Sequence, residues 1–178
     1  MKLLSLFFCL SLFCAQAEDF TFPATQTVQG KKLILNGTGW RKAFLGIKVY
    51  HAGLYLTGQS LDGEQVINSN EVRQIAMKFS RDVGLEKITS SYKEGLEKNG
   101  VDLKTIEAPF NKFISLLSDI KENDLLALTF TPAKVIISIN NVDKGSVDND
   151  LLGKGLLRIW LGKNPPSEDL KIGLLGKE

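Results

Sequence analysis

Few side chains in this sequence could do chemistry, and Arg41 stands out among them. It follows Trp40 and sits between a glycine-punctuated segment, Gly37-Thr38-Gly39, and a run of strand-forming residues from Ile47 to Leu56. A guanidinium is always charged, and its fork of donors matches a carboxylate or an enolate oxygen. The competing interpretation is a solvated arginine whose stem packs on Trp40, since most arginines lie at the surface. Tyr50 and Tyr92 could offer hydroxyls to a ligand, although tyrosines on strand and helix faces commonly belong to the core with one hydrogen bond. The single histidine, His51, falls in mid-strand with no Cys or paired carboxylates at ligand spacing, so it reads as a packed histidine and no metal site is expected. Asp143, Asp148 and Asp150 lack the spacing of a calcium loop and read as a turn and a helix start. No nucleophile elbow, phosphate loop or dinucleotide fingerprint is present, and no cofactor is expected.

These residues must be positioned by a small set of elements. In the strand Ile47–Leu56, Ile47, Val49, His51, Gly53 and Tyr55 share one face, and Lys48, Tyr50, Ala52, Leu54 and Leu56 share the other. Neither face is simply polar, which predicts an interior strand covered on both sides. Gly37 and Gly39 predict a tight bend before it, and Asn36-Gly37-Thr38, a formal glycosylation sequon, reads as part of that turn. An extended lead from Phe20 to Val28 precedes a hairpin at Gly30-Lys31-Lys32 and a short strand Leu33–Leu35. Gly58 to Asn70 is irregular apart from one helical turn near Glu64–Ile67. Arg73–Phe79 alternates as a strand with one buried face.

Asp82 reads as the N-cap of a helix carrying Leu85, Ile88, Tyr92 and Leu96, stopped by Asn99-Gly100. Thr105 reads as the cap of a second helix, in which Ile106, Phe110, Phe113, Ile114, Leu117 and Ile120 form a broad apolar face. Leu125–Thr131 and Val135–Ile139 form a hairpin, and Asn140–Lys144 reads as a further turn. A third helix over Leu151–Leu161 ends at Gly162, and a last short one follows Pro165-Pro166-Ser167. Strands and helices in this order predict one α+β domain: an antiparallel sheet with helices packed on one face.

The first 17 residues read as a signal peptide: Lys2, an apolar run Leu3–Cys14, then Ala15-Gln16-Ala17 as a cleavage site. The run is too short to span a bilayer, so no stable membrane anchor is expected. Both cysteines, Cys9 and Cys14, lie in that leader. The domain from 18 to 178, about 160 residues, therefore relies on its core alone and fits a secreted protein of a bacterial periplasm. Removing Lys2 takes the formal net charge from +2 to +1. That balance gives no basic patch for nucleic acid. Nothing in the sequence fixes an oligomeric state.

The stretch Leu35–Leu56, LNGTGWRKAFLGIKVYHAGLYL, resembles the signature of the chalcone isomerase family, L-x-G-x-G-x-R followed by K-x-x-x-x-G-x-Y-L. The matching residues are Leu35, Gly37, Gly39 and Arg41, then Lys48, Gly53, Tyr55 and Leu56. Phe79-Ser80-Arg81-Asp82-Val83 is similar to the family's F-x-R-D-[IV], and Ile159–Gly162 with Pro166–Lys171 is similar to its C-terminal block. The likeness is greatest to short exported bacterial members.

The resemblance implies an open-faced β-sandwich with a ligand cleft between sheet and helices. Arg41 matches the catalytic arginine that stabilises developing charge in the plant enzymes. The position of a catalytic threonine falls at Tyr50, and that of a substrate-binding asparagine at Ser91; the catalytic tyrosine finds no match near Gly84. An arginine with a tyrosine and no threonine is more similar to the fatty-acid-binding branch of the fold, where such a pair holds a carboxylate. The expected function is binding of a small apolar acid at Arg41, Tyr50 and Ser91, with Ile75, Met77, Phe110, Phe113 and Leu117 offering apolar walls. A structural or partner-binding domain with a filled cleft is the second reading. An isomerase acting through Arg41 on a phenolic ligand is the third.

Overall fold

The computed structural model describes residues 20–177; the leader and its two cysteines lie outside them. Seven strands run in chain order across one antiparallel sheet: β1 (Thr25–Val28), β2 (Lys31–Lys42), β3 (Lys48–Leu56), β4 (Arg73–Phe79), β5 (Leu125–Phe130), β6 (Val135–Ile139) and β7 (Val142–Val147). Every strand pairs with its sequence neighbours, so β3 is interior, as the composition of its two faces predicts. Between and after the strands come α1 (Gly63–Asn68), α2 (Leu85–Lys98), α3 (Glu107–Ser115), α4 (Asp150–Leu161) and α5 (Glu168–Leu174).

The main core lies between one sheet face and the helices. Ala52, Leu54, Ile75, Met77, Leu126 and Leu128 meet Ile88, Leu96, Phe113, Leu152 and Leu156 there. A smaller cluster of Phe22, Leu33, Tyr55, Ala76 and Ala127 covers the opposite face. Phe22 is held in place by Gly53, whose missing Cβ leaves room for the ring at 3.0 Å. The Tyr55 hydroxyl donates to the Pro23 carbonyl at 2.9 Å. Because of this second layer, β4 is buried on both faces rather than one. Gln74, an outward position in a simple alternation, is 8% exposed and donates to Thr129 at 2.8 Å.

Several expectations change. Gly37 and Gly39 form no bend: both lie within β2, after a register shift beside Asn36. Their role is close approach, since a Cβ on Gly37 would sit 2.1 Å from the Gly173 carbonyl oxygen and one on Gly39 2.8 Å from that of Leu170. α5 thus lies directly on the backbone of β2. Asn36 is a buried clasp and not an exposed turn. Its Nδ2 donates to the carbonyls of Ser60 and Leu174, and its Oδ1 accepts from the Ser60 N–H. The first hairpin turns one residue earlier than predicted, at Gln29-Gly30, both with positive φ (49° and 70°).

Asp82 does not cap α2. It accepts from the Glu122 N–H and from Lys121, while Asp119 accepts from the first helical N–H at Leu85. Asp102, not Thr105, accepts from the Lys104 N–H and opens the 3-10 turn Leu103–Ile106 that leads into α3. α3 stops at Ser115, and Ile120 bridges to Val83 as extended chain. Asn140 and Asn141, with φ of 52° and 63°, make a tight hairpin into the unpredicted edge strand β7.

Candidate ligand-binding site

The three residues singled out from sequence converge on one cleft. β2 and β3 place Arg41 directly opposite Tyr50, on the face of the sheet that meets the helices. α2 brings Ser91 to the same cavity, which has a volume of about 300 Å³. Its floor is Met77, Phe79 and Leu126 from the sheet, and its walls are Ile88 and Tyr92 from α2 with Ile159 and Trp160 from α4. Asn164, Pro165 and Pro166, between α4 and α5, close one side. The cleft is therefore open between sheet and helices and not filled by side chains.

Of the apolar residues expected to line it, Met77 does. Ile75, Phe110, Phe113 and Leu117 instead pack in the core away from the cavity. A broad apolar face on a helix marks burial but cannot show where packing stops short, which depends on how helices seat on a sheet.

Arg41 is half-buried at the cleft mouth. Its Nη1 donates to the neighbouring Lys42 carbonyl, and among the described residues no carboxylate lies within ion-pair distance of it. Beside it, the Tyr50 hydroxyl accepts a 3.0 Å bond from the Trp160 indole N–H. That bond occupies an oxygen lone pair and leaves the hydroxyl proton available as a donor. Burial pushes the Tyr50 phenol above its usual value, against the smaller opposing effects of the Trp160 bond and the Arg41 charge. Tyr92, packed edge-on against Phe113 and Trp160, is also raised, by burial first and then by Tyr50. Both phenols stay neutral at physiological pH and serve as hydrogen-bonding groups rather than as bases.

Ser91 is exposed, at the rim. Around it, Lys87, Glu94 and Lys98 edge the cavity from the same stripe of α2. Glu94 is engaged by Lys98 at 2.6 Å, and that bond, with the Lys98 charge and more weakly those of Lys87 and Arg41, holds its carboxyl below the usual range. His51 points to the opposite side of the sheet, stacked on Trp40 at 4.5 Å and edge-on to Phe22, outside the cleft. No cluster of three or more potential metal-binding side chains occurs among the described residues.

Among the cleft residues that sequence reasoning missed are Trp160 and the α2 lysines. The lysines carried a signal, since Lys87, Ser91 and Lys98 share one helical stripe. Trp160 carried none beyond its place in the C-terminal block.

A single antiparallel meander with helices over one face, and a polar pair at the mouth of an apolar cleft between them, defines an α+β open-faced sandwich of the chalcone isomerase type. The chain belongs to the chalcone isomerase-like family, whose model matches residues 14–176. Among solved structures, it is similar to the crystal structure of a fatty-acid binding protein from Arabidopsis thaliana, with a TM-score of 0.69 and 21% identity over 88% of this chain and 91% of that one. No curated protein sequence matches it.

Proposed function

We propose that this protein is a non-catalytic binder of a small apolar acid such as a fatty acid. In this reading the carboxylate rests on Arg41 and the Tyr50 hydroxyl, and the tail lies over Met77, Phe79 and Leu126 beneath α2 and α4. One observation carries the reading: the charged fork and the phenol are opposed across β2 and β3 beside an apolar floor of Met77, Phe79 and Leu126, and among the described residues no carboxylate pairs with the arginine. The volume is at the lower end of small-molecule sites, which suits a narrow ligand.

Binding is favoured over isomerisation by what the cleft contains. A proton-transfer catalyst needs a group that titrates near its working pH. The phenols here are displaced upward, and the only histidine is on the far side of the sheet. The Arabidopsis protein of the same fold is a fatty-acid binding protein, which supports the same use here.

Titration calorimetry with a short panel of fatty acids tests this. Wild type binds at least one of them, and Arg41→Ala weakens binding by about ten- to a hundredfold, the contribution of a charge-assisted bond. Arg41→Lys recovers part of the loss, because a point charge cannot reproduce the fork. Absence of binding by wild type to every acid, or equal binding by Arg41→Ala, rejects the proposal.

A further inference from the structure

The loop that joins β2 to β3 beside the cleft mouth carries three large apolar side chains in four positions: Phe44, Leu45 and Ile47, which are 84%, 82% and 48% exposed. Single exposed apolar residues are ordinary, but a cluster on one protruding turn is not. The backbone maintains this display at a cost. Leu45 has φ 59° and ψ 22°, a left-handed conformation that disfavours a side chain with a Cβ, and Gly46 follows at φ 75°. Two bonds, from the Ala43 N–H to the Ile47 carbonyl at 2.7 Å and from the Gly46 N–H to the Ala43 carbonyl at 3.1 Å, hold the turn in that form.

The charge flanking the turn is positive, and at the cleft edge lysines outnumber the single Glu94, which is paired with Lys98. Exposed Lys42 and Lys48 flank the turn, and Lys87 and Lys98 edge the cleft nearby. From Phe20 to Leu61 the chain has Lys31, Lys32, Arg41, Lys42 and Lys48 but no aspartate or glutamate. Ala43, the first residue of the turn, also lines the cavity, so tip and mouth are continuous.

We propose that this loop is a membrane-contact tip that docks the cleft mouth on an anionic lipid bilayer. Phe44, Leu45 and Ile47 enter the boundary between headgroups and acyl chains, while Lys42 and Lys48 meet the negative surface. A second copy of the chain fits the tip poorly. A two-fold contact would set these lysines against their own counterparts, and three side chains on a turn cannot approach the roughly 800 Å² per partner of a stable interface. No helix among the described residues is long and apolar enough to cross a membrane, so the contact is peripheral and reversible. Docking goes beyond the binding function proposed above and does not depend on it; only its use, loading an apolar acid directly from the bilayer, rests on that reading.

The test is co-sedimentation with sucrose-loaded vesicles of pure phosphatidylcholine and of phosphatidylcholine with about a third phosphatidylglycerol. Wild type pellets with the anionic vesicles. The double variant Phe44→Ser with Leu45→Asn, in which asparagine tolerates the left-handed position, loses at least tenfold in partitioning. Lys42→Gln and Lys48→Gln each lose about fivefold, and less at high salt. Fatty-acid affinity measured without lipid is unchanged in the Phe44/Leu45 variant, which separates failure of docking from failure of the cleft. The proposal is overturned if wild type ignores anionic vesicles, or if the apolar variant pellets as wild type does. It is equally overturned if wild type forms a concentration-dependent dimer that the variant abolishes.

Discussion

Two arginines stand on the same face of the sheet at the ends of their strands, and they are treated in opposite ways. Arg73, at the start of β4, is 3% exposed, and its Nη1 donates at 3.0 Å to both the Val66 and the Ile67 carbonyls in α1. Burial lowers its pKa, with Asp150 opposing that shift. Arg41, at the end of β2, is half-buried, and its one protein acceptor is the carbonyl of the next residue. The first guanidinium is held by the fold: its Nη1 supplies the Ile67 carbonyl and shares the Val66 carbonyl with the Ser69 N–H, while its Nε is buried without a partner among the described residues. The second has donor capacity that the fold does not use. Around Arg73 the sheet and helices meet in packed core, and around Arg41 they part to leave the cavity.

Substitution sharpens this contrast, beginning with the largest effect. Arg73→Ala strands the buried Ile67 carbonyl, at about 1–3 kcal/mol, and leaves the Val66 carbonyl only the longer bond from the Ser69 N–H. The melting temperature should fall by roughly 2–12 °C at the 2–4 °C per kcal/mol typical of this size. A loss under 2 °C breaks the distinction from the structural side. Arg41→Ala should leave the melting temperature within the small range of surface substitutions while losing the ligand affinity discussed above; a large thermal loss would make Arg41 a second structural arginine.

Next in size is a pH effect. A bound carboxylate held by Arg41 has its pKa depressed below that of the free acid, near 4–5. Affinity is then constant above the free value and falls as pH drops below it, by up to tenfold per unit. Because the Tyr50 phenol is raised, it remains a donor throughout that range. Calorimetry at pH 7, 5 and 4 measures this, and an affinity that rises on acidification contradicts a carboxylate on Arg41. The smallest effect is that of Tyr50→Phe, which removes one neutral hydrogen bond to the ligand and the acceptor of the Trp160 N–H. A loss of about three- to tenfold in affinity is expected by titration. No change would leave Arg41 as the sole anchor.

The sheet and the cleft were not equally legible. Arg73–Phe79 is found where alternation places it and Val135–Ile139 where the hairpin does, and Leu85, Ile88, Tyr92 and Leu96 mark α2 because a helix seated on a sheet needs that stripe. β7 escaped because VDKGSV has no alternation; it is an edge strand paired on one side, with little need of an apolar face. Gly37 and Gly39 suggested a bend because glycine's two uses, turning and yielding space, look alike until the partner is known, and that partner, α5, lies far along the chain. For the candidate site, residue type and position singled out Arg41 and Tyr50, and the family resemblance added Ser91; the structure brings all three to one cavity. Trp160 and the true walls depend on where helices stop touching the sheet, which no local pattern encodes.

The contact between α5 and β2 has a topological consequence. Asn36 and Leu174, joined by a 2.9 Å bond, stand 138 positions apart, and Asn164, Pro165 and Pro166 on the approach to α5 form one side of the cleft. The sheet can grow strand by strand as the chain lengthens, because each strand pairs with its predecessor. The cavity is completed later: its Asn164–Pro166 side is anchored only once the two ends of the domain have met, at the loop-closure cost of a 138-residue separation. A chain shortened by its final helix would keep every strand but lose the Asn36–Leu174 clasp that anchors the chain beyond the Asn164–Pro166 side of the cavity. The finished cavity wall is thus a checkpoint on completion of the entire fold.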